Sequence, residues 1–415
     1  MSSDPIVQWA QSAGMRLEWP LNGLRDSELS SLDDLLSGAE VVFLGETDHF
    51  THEKSDFRLL VCRHLLELGW RTFAEELAWS DGRRLAGYLA SGDERALARL
   101  SLFGWTGEAR PDRDDRPTGL LRASFDAYPT ELMRAEQTRF YRGLKAAGGA
   151  AALGYFGLDI DGLPGGGYAD IAETLAPWSE HPRVRAFLAA FARRPGETAK
   201  AESARLAALA PAAARLAVEI DPALDIVAAD LAALAESLAY VEVTYGAQSY
   251  DALRPGMAYR EGCMKRRLAD VRRLTVGAPL VVMGHALHLA KDDRRLGAAP
   301  GVVGPGGGQE PSLGHHIVQT LGLKAASIWL VHGAGEDSQP FPDLPRHFAY
   351  PKATLNARLS MFSEPVLFPV TGAPDGLFAG PVGVGHMYNI VQPAVLEGLV
   401  DWILFLPRVT PMRLA

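Results

Sequence analysis

A dense group of titratable residues follows a strand-like apolar segment in the first quarter of the chain. The segment "VVFLG" (41–45) is followed closely by Glu46, Asp48 and His49. A neutral histidine, whose unperturbed pKa is about 6.5, can accept a proton from water near neutral pH. A carboxylate that is hydrogen-bonded to it fixes the tautomer of the ring and stabilises the imidazolium. The group therefore indicates either general acid/base catalysis or a polar loop in solvent.

Two further strand candidates end in residues that can do the same chemistry. "WRTFAEELAW" (70–79) contains Glu75 and Glu76, and a later strand candidate ends in His285 and His288. The carboxyl ends of parallel strands meet at one edge of an open sheet, where ligands bind, so these residues can converge. Taken singly, a carboxylate near a helix start or a histidine after a strand is usually structural. Three such strand ends together favour a functional site.

The residue types define which reactions are possible. A histidine base, a carboxylate partner and a second histidine or glutamate that orients water or protonates the leaving oxygen can hydrolyse an ester without a covalent intermediate. The chain contains no GxSxG nucleophile elbow, which argues against a serine hydrolase of the usual type. The sequence thus predicts direct attack by water.

Metal binding is the main chemical alternative. The zinc motif HExxH needs two histidines one helical turn apart, whereas His49/His52 and His285/His288 are three residues apart. Several histidines and carboxylates can still bind a divalent ion when they meet in space. We predict that no metal and no other cofactor is required.

The elements that must position these residues alternate between strands and helices. The β-branched segment 39–45 is typical of a buried parallel strand, and 55–69 has helical spacing of its apolar residues. With the strand candidate that follows, this order indicates a βαβ unit. Further strand candidates lie at 151–167, 278–293, 324–335 and 399–411. We predict an α/β fold with a central, mostly parallel sheet that is flanked by helices.

Between residues 168 and 250 the strand signals nearly vanish, and the chain is rich in Ala and Leu, which favour helices. We predict a helical lobe at 168–250, inserted into an α/β catalytic core made of 1–165 and 251–415. The Pro-, Gly- and charge-rich segment 107–119 is typical of an exposed loop. The glycine-rich segment 297–310 lacks the strand-to-helix context of a phosphate-binding loop.

Composition limits the partners and the compartment. The 415 residues carry a formal net charge of −9, which argues against nucleic acid or an anionic membrane as the main partner. Two cysteines, Cys62 and Cys263, cannot form a disulfide framework. The start of the chain lacks a signal-peptide pattern, and no apolar run reaches the ~18 residues of a membrane span. We predict a cytoplasmic protein, and the oligomeric state is left open.

In their order along the chain, these segments resemble the motifs of the erythromycin esterase family. "FLGETDHFTHEKSDFR" is similar to the GExxH segment of the family, with Arg58 at the family's spacing. "GWRTFAEELAW" resembles the next strand and matches its Glu76 and Trp79, and "GYFGLDIDG" resembles the Gly-x-Asp strand with Asp159. "VVMGHALHLAK" is similar to the His-Asn-x-His segment. The resemblance runs from about residue 35 to the C-terminal strand candidate in "LFLPRVTP".

The resemblance implies an α/β fold with the helical lobe over a deep cleft. It also implies hydrolysis of a carboxylic ester or lactone in a bulky, macrolide-like natural product by histidine-activated water. Carried over by position, the catalytic residues are His49 as the base, Glu46, Glu76, His285 and His288. The substrate-binding residues are Arg58, Trp79, Asp159, Arg254 and Arg260.

Two departures from the family pattern keep other functions open. Ala286 stands where the family usually has Asn, and Arg260 stands where an Asn is expected in the loosely matching "RPGMAYREG". One alternative is a biosynthetic enzyme of the same fold that catalyses elimination or cyclisation of a modified peptide or polyketide. Another is a catalytically inactive binding protein. In each case the partner is a small-molecule or peptide natural product.

Overall fold

The computed structural model describes residues 3–18, 21, 26–100, 130–161, 165–244, 247, 249–298, 310–339 and 344–414. The chain divides into two compact units. Unit 1 consists of Met1–Phe73, Ala127–Leu153 and Pro279–Ala415, and unit 2 of Ala74–Asp126 and Gly154–Ala278. The loop segment 107–119 and most of 297–310 lie outside the described residues.

The described strands are β1 (Met15–Arg16), β2 (Val41–Glu46), β3 (Thr72–Ala78), β4 (Gly154–Asp159), β5 (Leu280–His285), β6 (Ala325–Gly335), β7 (Val366–Pro369), β8 (Val382–Gly385), β9 (Val391–Ala394) and β10 (Trp402–Val409). One sheet of eight strands has the order β1-β7-β10-β6-β2-β5-β3-β4, and β8 pairs with β9 in a separate two-stranded sheet. Every strand candidate from the sequence overlaps one of these strands.

The described α-helices are α1 (Pro5–Ala13), α2 (Asp33–Ser37), α3 (Glu53–Glu67), α4 (Trp79–Ser91), α5 (Glu94–Ala98), α6 (Thr130–Gly148), α7 (Gly165–Leu175), α8 (Pro182–Phe191), α9 (Ala199–Ala208), α10 (Ala210–Glu219), α11 (Asp225–Thr244), α12 (Tyr250–Leu274), α13 (Leu313–His315) and α14 (Leu355–Leu359). A π-helical turn, His316–Thr320, continues α13. The predicted fold class, α/β with a mostly parallel sheet flanked by helices, is confirmed.

In unit 1, strand pairing places two of the polar strand ends at the same level. Strand β2 runs parallel to both β5 and β6, and β10 runs parallel to β6. Each residue of β2 is buried, which is usual for a strand covered on both faces. In this register Glu46 lies opposite His285. The two residues therefore share the carboxyl edge of the sheet, as predicted for this pair.

Unit 2 combines the helices of the predicted lobe with other elements. Helices α7 to α11 lie within 168–250 apart from the start of α7, and they pack around a buried apolar cluster that includes Phe187, Leu206 and Leu231. The same unit contains β4, α4, α12 and most of β3. The helical content of 168–250 is as predicted, whereas the assignment of that segment as a separate domain stays a prediction.

Helix α4 packs directly against β4 in unit 2 because both elements carry glycine at the contact. A Cβ atom at Gly82 would lie 1.9 Å from the backbone nitrogen of Gly157. A Cβ atom at Gly157 would lie 2.0 Å from the carbonyl oxygen of Ala78. Only glycine permits such close backbone approach. This contact fixes the start of α4, which follows directly on β3.

Two findings concern features that the composition raised. Cys62 and Cys263 are both buried and are not joined in a disulfide. Within the described parts of the chain, every helix is too short or too polar to cross a membrane.

Candidate active site

The centre of the candidate site in unit 1 is an imidazole–carboxylate–guanidinium chain. Glu46 ends β2 and is fully buried, and His49 lies in the turn before α3. The ring nitrogen Nδ1 of His49 lies 3.2 Å from Glu46 Oε1. Arg58, on α3, donates from Nη2 to both carboxylate oxygens, at 2.7 and 2.9 Å. The strand–turn–helix sequence thus brings the three side chains together, and Arg58 positions Glu46.

The charge of Glu46 determines which nitrogen of His49 is basic. Burial raises the pKa of Glu46, but Arg58, His49 and Lys54 together outweigh burial and hold that pKa below its usual range. Glu46 is therefore ionised at neutral pH and only accepts hydrogen bonds. Nδ1 of His49 must donate the hydrogen of this bond, which leaves the lone pair on Nε2. The side chain is 16% exposed, so water can approach this base.

His285 lies beside His49 and has the opposite tautomer. The centroids of the two rings are 5.1 Å apart. The backbone N–H of Leu287 donates to Nδ1 of His285 at 3.3 Å, so the neutral ring carries its hydrogen on Nε2. One imidazole therefore carries a lone pair on Nε2, and its neighbour carries an N–H group on an Nε2 atom that is buried in the structure. A base and a hydrogen-bond donor on adjacent rings are what attack of water on a carbonyl group requires.

His288 and Ala286 flank His285 on the same segment. The ring of His288 lies 6.4 Å from that of His285, and its carbonyl oxygen accepts a hydrogen bond from Gly314 N at 2.8 Å. Ala286 is fully buried in the apolar core of unit 1, and its N–H donates to the carbonyl oxygen of Glu46 at 2.8 Å. The side chain of Ala286 therefore packs in the apolar core of unit 1.

The structure adds two histidines that the sequence reasoning missed. His386 follows β8, and its ring centroid lies 5.2 Å from that of His285. His332 lies on β6. Burial lowers the pKa of each ring to about 3, so both are neutral. In "VGVGH" the same signal, a polar residue just past a strand end, was present in the sequence, whereas His332 lies inside β6.

His52 belongs to a structural network and not to the candidate site. Its ring is bound to Glu136 on α6. Arg139 of the same helix donates to both Glu136 and Asp56 of α3. These ion pairs join α3 to α6. Although only three residues separate His49 from His52, the ring of His49 contacts Glu46 and the ring of His52 contacts Glu136.

In unit 2, three predicted site residues form one ion cluster. Arg260 on α12 donates from Nη2 to Glu76 Oε1 at 2.6 Å and from Nε to both oxygens of Asp159 at 2.9 Å. Burial lowers the pKa of Arg260, but Asp159 and Glu76 raise it well above its usual range. The guanidinium is thus always charged, and two carboxylates compensate it. Arg260 holds Glu76 and Asp159 in place.

The two other predicted binding residues in unit 2 lie on helices. Trp79, the first residue of α4, is buried and donates from Nε1 to Asp230 at 2.8 Å. The guanidinium of Arg267 lies 5.5 Å from the centre of its ring. Arg254 is half-buried on α12. Their roles in substrate binding, and the convergence of Glu76 with the histidines of unit 1, stay predictions.

A second charged cluster in unit 2 has more carboxyl groups than cations. Asp161 accepts a hydrogen bond from Ser80, and Arg84 pairs with Asp81 at 3.1 Å and with Asp170 at 3.5 Å. Burial is the main cause that raises the pKa of Asp161 and of Asp170 to about 7. These groups are therefore protonated in the folded protein at a pH where the unfolded chain ionises them.

This cluster predicts that stability falls with rising pH. A folded-state pKa above the unfolded value of 3.8 gives stability that is complete below pH 3.8 and is lost as the pH rises through about 7. We expect Asp161→Asn, whose amide oxygen can still accept from Ser80, to raise the thermal midpoint at about pH 8 and to raise it by less than half as much at about pH 5. The gain is at most ~4 kcal/mol, since one pKa unit corresponds to about 1.4 kcal/mol.

Asp93→Asn is the matched control, because Arg95 lowers the pKa of this exposed aspartate to about 2. Its titration is complete below pH 5, so the two midpoints should shift equally. Calorimetric melts of the three proteins at both pH values measure the effect. Equal shifts in Asp161→Asn would show that Asp161 ionises normally.

Comparisons with known proteins connect this architecture to solved structures. No protein-family model matches the chain. A search of the curated proteins finds no match either. A protein from Bacillus cereus is 14% identical with a TM-score of 0.69 over 100% of both chains. A succinoglycan biosynthesis protein is 15% identical with a TM-score of 0.68, over 99% of this chain and 98% of its own. A mutant of the erythromycin esterase EreC in its open conformation is 17% identical with a TM-score of 0.62, over 97% and 98%.

The three similarities cover almost the whole chain and establish the fold. The chain is built like an erythromycin esterase, so the resemblance read from the sequence motifs is supported as a structural relationship. The identities are too low to carry over an activity. Function must therefore be argued from the site.

Proposed function

We propose that the protein hydrolyses a carboxylic ester or lactone in a bulky, macrolide-like natural product, with His49 as the general base toward water. The observation that carries this proposal is the contact between His49 Nδ1 and the ionised, Arg58-bound Glu46, which leaves the basic lone pair on Nε2. The shared fold with an erythromycin esterase supports the same reaction class.

The geometry supports a two-step reaction. In the first step Nε2 of His49 removes a proton from water, whose oxygen forms a bond to the carbonyl carbon. The electron pair of the carbonyl bond moves to oxygen, where N–H of His285 stabilises the charge. In the second step this pair re-forms the carbonyl bond and the ester C–O bond breaks. The leaving oxygen takes the proton from His49, which becomes neutral again.

Glu46 and Arg58 make the base effective. When His49 gains a proton, the ionised Glu46 stabilises the imidazolium at a distance of 3.2 Å. Arg58 holds both oxygens of that carboxylate, so Glu46 cannot rotate away from the ring. In unit 2 we assign Glu76 as a further catalytic carboxylate, which Arg260 keeps in place.

A second candidate is a biosynthetic enzyme that uses the same groups without hydrolysis. The succinoglycan biosynthesis protein of the same fold favours it, because that name associates the architecture with a biosynthetic process. A base paired with an N–H donor can also remove a proton from carbon next to a carbonyl group, as elimination or cyclisation requires. The substrate would then be a modified peptide or polyketide.

Mass spectrometry distinguishes the two candidates. The purified protein is incubated with a panel of macrolides, simple lactones and modified peptides, and a reaction with His49→Ala runs in parallel. We expect a product that is heavier by one water. Loss of one water indicates elimination, and an isomer of unchanged mass indicates cyclisation. A tight complex with an unaltered ligand would make the protein a binding protein.

We expect activity to survive extensive treatment with EDTA. The ring nitrogen Nδ1 of His49 is engaged by Glu46, both oxygens of Glu46 accept from Arg58, and Nδ1 of His285 accepts from Leu287. These bonds engage both carboxylate oxygens of Glu46 and one nitrogen of each ring, which leaves few atoms of this group to coordinate an ion. In the described residues, no group of three or more His, Cys, Asp or Glu side chains is arranged to hold a metal ion.

The measurement is the rate of product formation before and after chelation and dialysis. Loss of the rate on chelation, with recovery on addition of Zn²⁺ or Mn²⁺, would contradict the metal-free reaction. Addition of Mg²⁺ to the treated protein is the control for a general effect of ionic strength.

A further inference from the structure

Two buried aspartates meet beside the turn that carries His49. Asp48 directly precedes His49, and Asp337 follows β6 in the same unit. Each is only 2% exposed. Their carboxyl groups lie close together, so that each influences the ionisation of the other. The proposed reaction uses neither of these two side chains.

Each carboxyl group has one oxygen engaged by its own turn. Asp48 Oδ1 accepts from the N–H of Phe50 at 2.6 Å, and Asp337 Oδ1 accepts from the N–H of Gln339 at 3.1 Å. The two turns are also joined directly, since Ser338 N donates to the carbonyl oxygen of Phe50 at 3.0 Å. The first of these bonds spans His49, so the side chain of Asp48 sets the conformation of the turn at whose centre the base lies.

The second oxygen of each carboxyl group is buried and has no N–H or O–H donor in the part of the chain that the structure describes. Two ionised carboxylates only accept hydrogen bonds and would repel each other in this position. A proton on one of them converts the contact into a short O–H···O bond between a carboxylic acid and a carboxylate. The geometry of the pair therefore calls for one shared proton.

The neighbouring cations do not outweigh the burial that favours this shared proton. Lys54 and Arg346 favour ionisation of Asp48 and Asp337 respectively, but burial is the dominant influence on both. Burial and the neighbouring carboxyl group raise the pKa of Asp48 well above its usual range, and burial raises that of Asp337 to about 6. Tyr350, which also faces the pair, stays neutral because burial and the two aspartates raise its pKa.

We propose that Asp48 and Asp337 share one proton and that this carboxyl pair positions His49 by joining the turn after β2 to the turn after β6. The sharing of the proton stands on the contacts of the two aspartates. The positioning role rests on the proposed function of His49 as the base. Asp337 acts on His49 only through Asp48, so it is a positioning residue.

Two substitutions at Asp337 distinguish a variant that keeps the bond to Asp48 from one that removes it. In Asp337→Asn the amide N–H donates to the ionised Asp48, so the two turns stay joined without a shared proton. In Asp337→Ala the buried oxygen of Asp48 loses its partner. We expect kcat/KM for an ester substrate to stay within about threefold in Asp337→Asn and to fall by on the order of 10²-fold in Asp337→Ala, as a displacement of ~1 Å of a catalytic group can cause.

Two measurements need no substrate. The first is an NMR titration of isotope-labelled histidines, in which we expect the midpoint of His49 to move in Asp337→Ala and to change little in Asp337→Asn. The second is the thermal midpoint as a function of pH. Folded pKa values above the unfolded ones give the wild type stability that is lost as the pH rises through about 6. In Asp337→Asn the thermal midpoint should fall much less over the same pH range.

Asp401→Asn is the matched control, since Asp401 is a buried carboxylate near the opposite end of β6 and accepts from Ser327 N at 2.8 Å. It should lower the thermal midpoint without moving the titration of His49. Equal behaviour of Asp337→Asn and Asp337→Ala overturns the shared proton. An unchanged His49 midpoint in a folded Asp337→Ala overturns the positioning role. Failure of the wild type to hydrolyse any ester contradicts the proposed function alone, since both substrate-free measurements still decide this inference.

Discussion

Replacing His49 by alanine is expected to lower kcat/KM by on the order of 10⁴-fold, the upper range for loss of a general base. The remaining groups can still stabilise a charged carbonyl oxygen, but nothing removes the proton from the attacking water. Stability should change little, because the side chain lies in a turn and is partly exposed. Rates of ester or lactone opening, followed by chromatography and mass spectrometry, give the loss, and circular dichroism melts give the stability.

His52→Ala is the matched control for this experiment. His52 lies three residues further along the chain and is bound to Glu136 on α6, outside the candidate site. Its removal should lower the thermal midpoint and leave kcat/KM within about tenfold, since surface-near ion pairs act on stability and not on proton transfer. Near-normal turnover in His49→Ala would assign the activation of water to another residue.

The sequence was sufficient to predict that Glu46 and His285 lie at the same edge of the sheet. Glu46 and His285 each end an apolar, β-branched strand, and parallel pairing brings such ends to the same level. This rule needs only the strand pattern and the assumption of a parallel sheet. It also explains why His386 was within reach of the same reasoning, since it directly follows β8.

The partners of these residues depend on contacts that no local pattern records. Asp337 meets Asp48 only because β6 is the neighbour of β2 in the sheet, although almost 300 residues separate the two. Strand order is a property of long-range pairing, and the sequence indicates strands without their neighbours. His386 lies next to His285 for a similar reason, because the turn after β8 is placed by distant residues. Asn356, for example, hydrogen-bonds to both sides of Gly385.

Arg260 shows a different limit of sequence reasoning. The resemblance places it among the substrate-binding residues, a role that stays a prediction, and the structure pairs it with Glu76 and Asp159. A cation that neutralises buried carboxylates and a cation that binds a ligand have the same local sequence pattern. Arg58 has the same ambiguity. It lies on α3, and its position on that helix brings its guanidinium into contact with Glu46.

The division of the chain into units could not be predicted for a similar reason. The Ala- and Leu-rich composition of 168–250 correctly indicated helices. Which strands and helices share a compact unit with them depends on tertiary contacts. One example is the glycine contact between α4 and β4.

Replacing Glu46 by glutamine is expected to change the pH profile as well as the rate. Glu46 is ionised throughout the neutral range because Arg58, His49 and Lys54 outweigh its burial and lower its pKa. The rise of kcat/KM with pH therefore reports the loss of a proton from the base and not from Glu46. An ionised partner favours the charged imidazolium, so its removal makes the ring lose its proton more easily. The acid limb should move to lower pH in Glu46→Gln.

The plateau of the same profile should fall by on the order of 10²-fold or more, judged from other carboxylates that orient a catalytic histidine. The amide can donate to Nδ1 of His49 and so favour the wrong tautomer, which places the hydrogen on Nε2. Arg58 also loses its ionised partner, so the thermal midpoint should decrease. Kinetics over about pH 5 to about pH 9 and melts of the same samples provide both values.

Arg58→Gln tests the direction of the shift from the opposite side. It keeps the carboxylate of Glu46 and removes the cation that compensates it, so the negative charge acts on His49 alone and the acid limb should move to higher pH. Opposite shifts in the two variants cannot result from general loosening of the site, which would move both profiles alike. If the profile of Glu46→Gln coincides with that of the wild type in position and height, Glu46 is not the partner of the base. The contact of 3.2 Å would then belong to a polar turn without catalytic function.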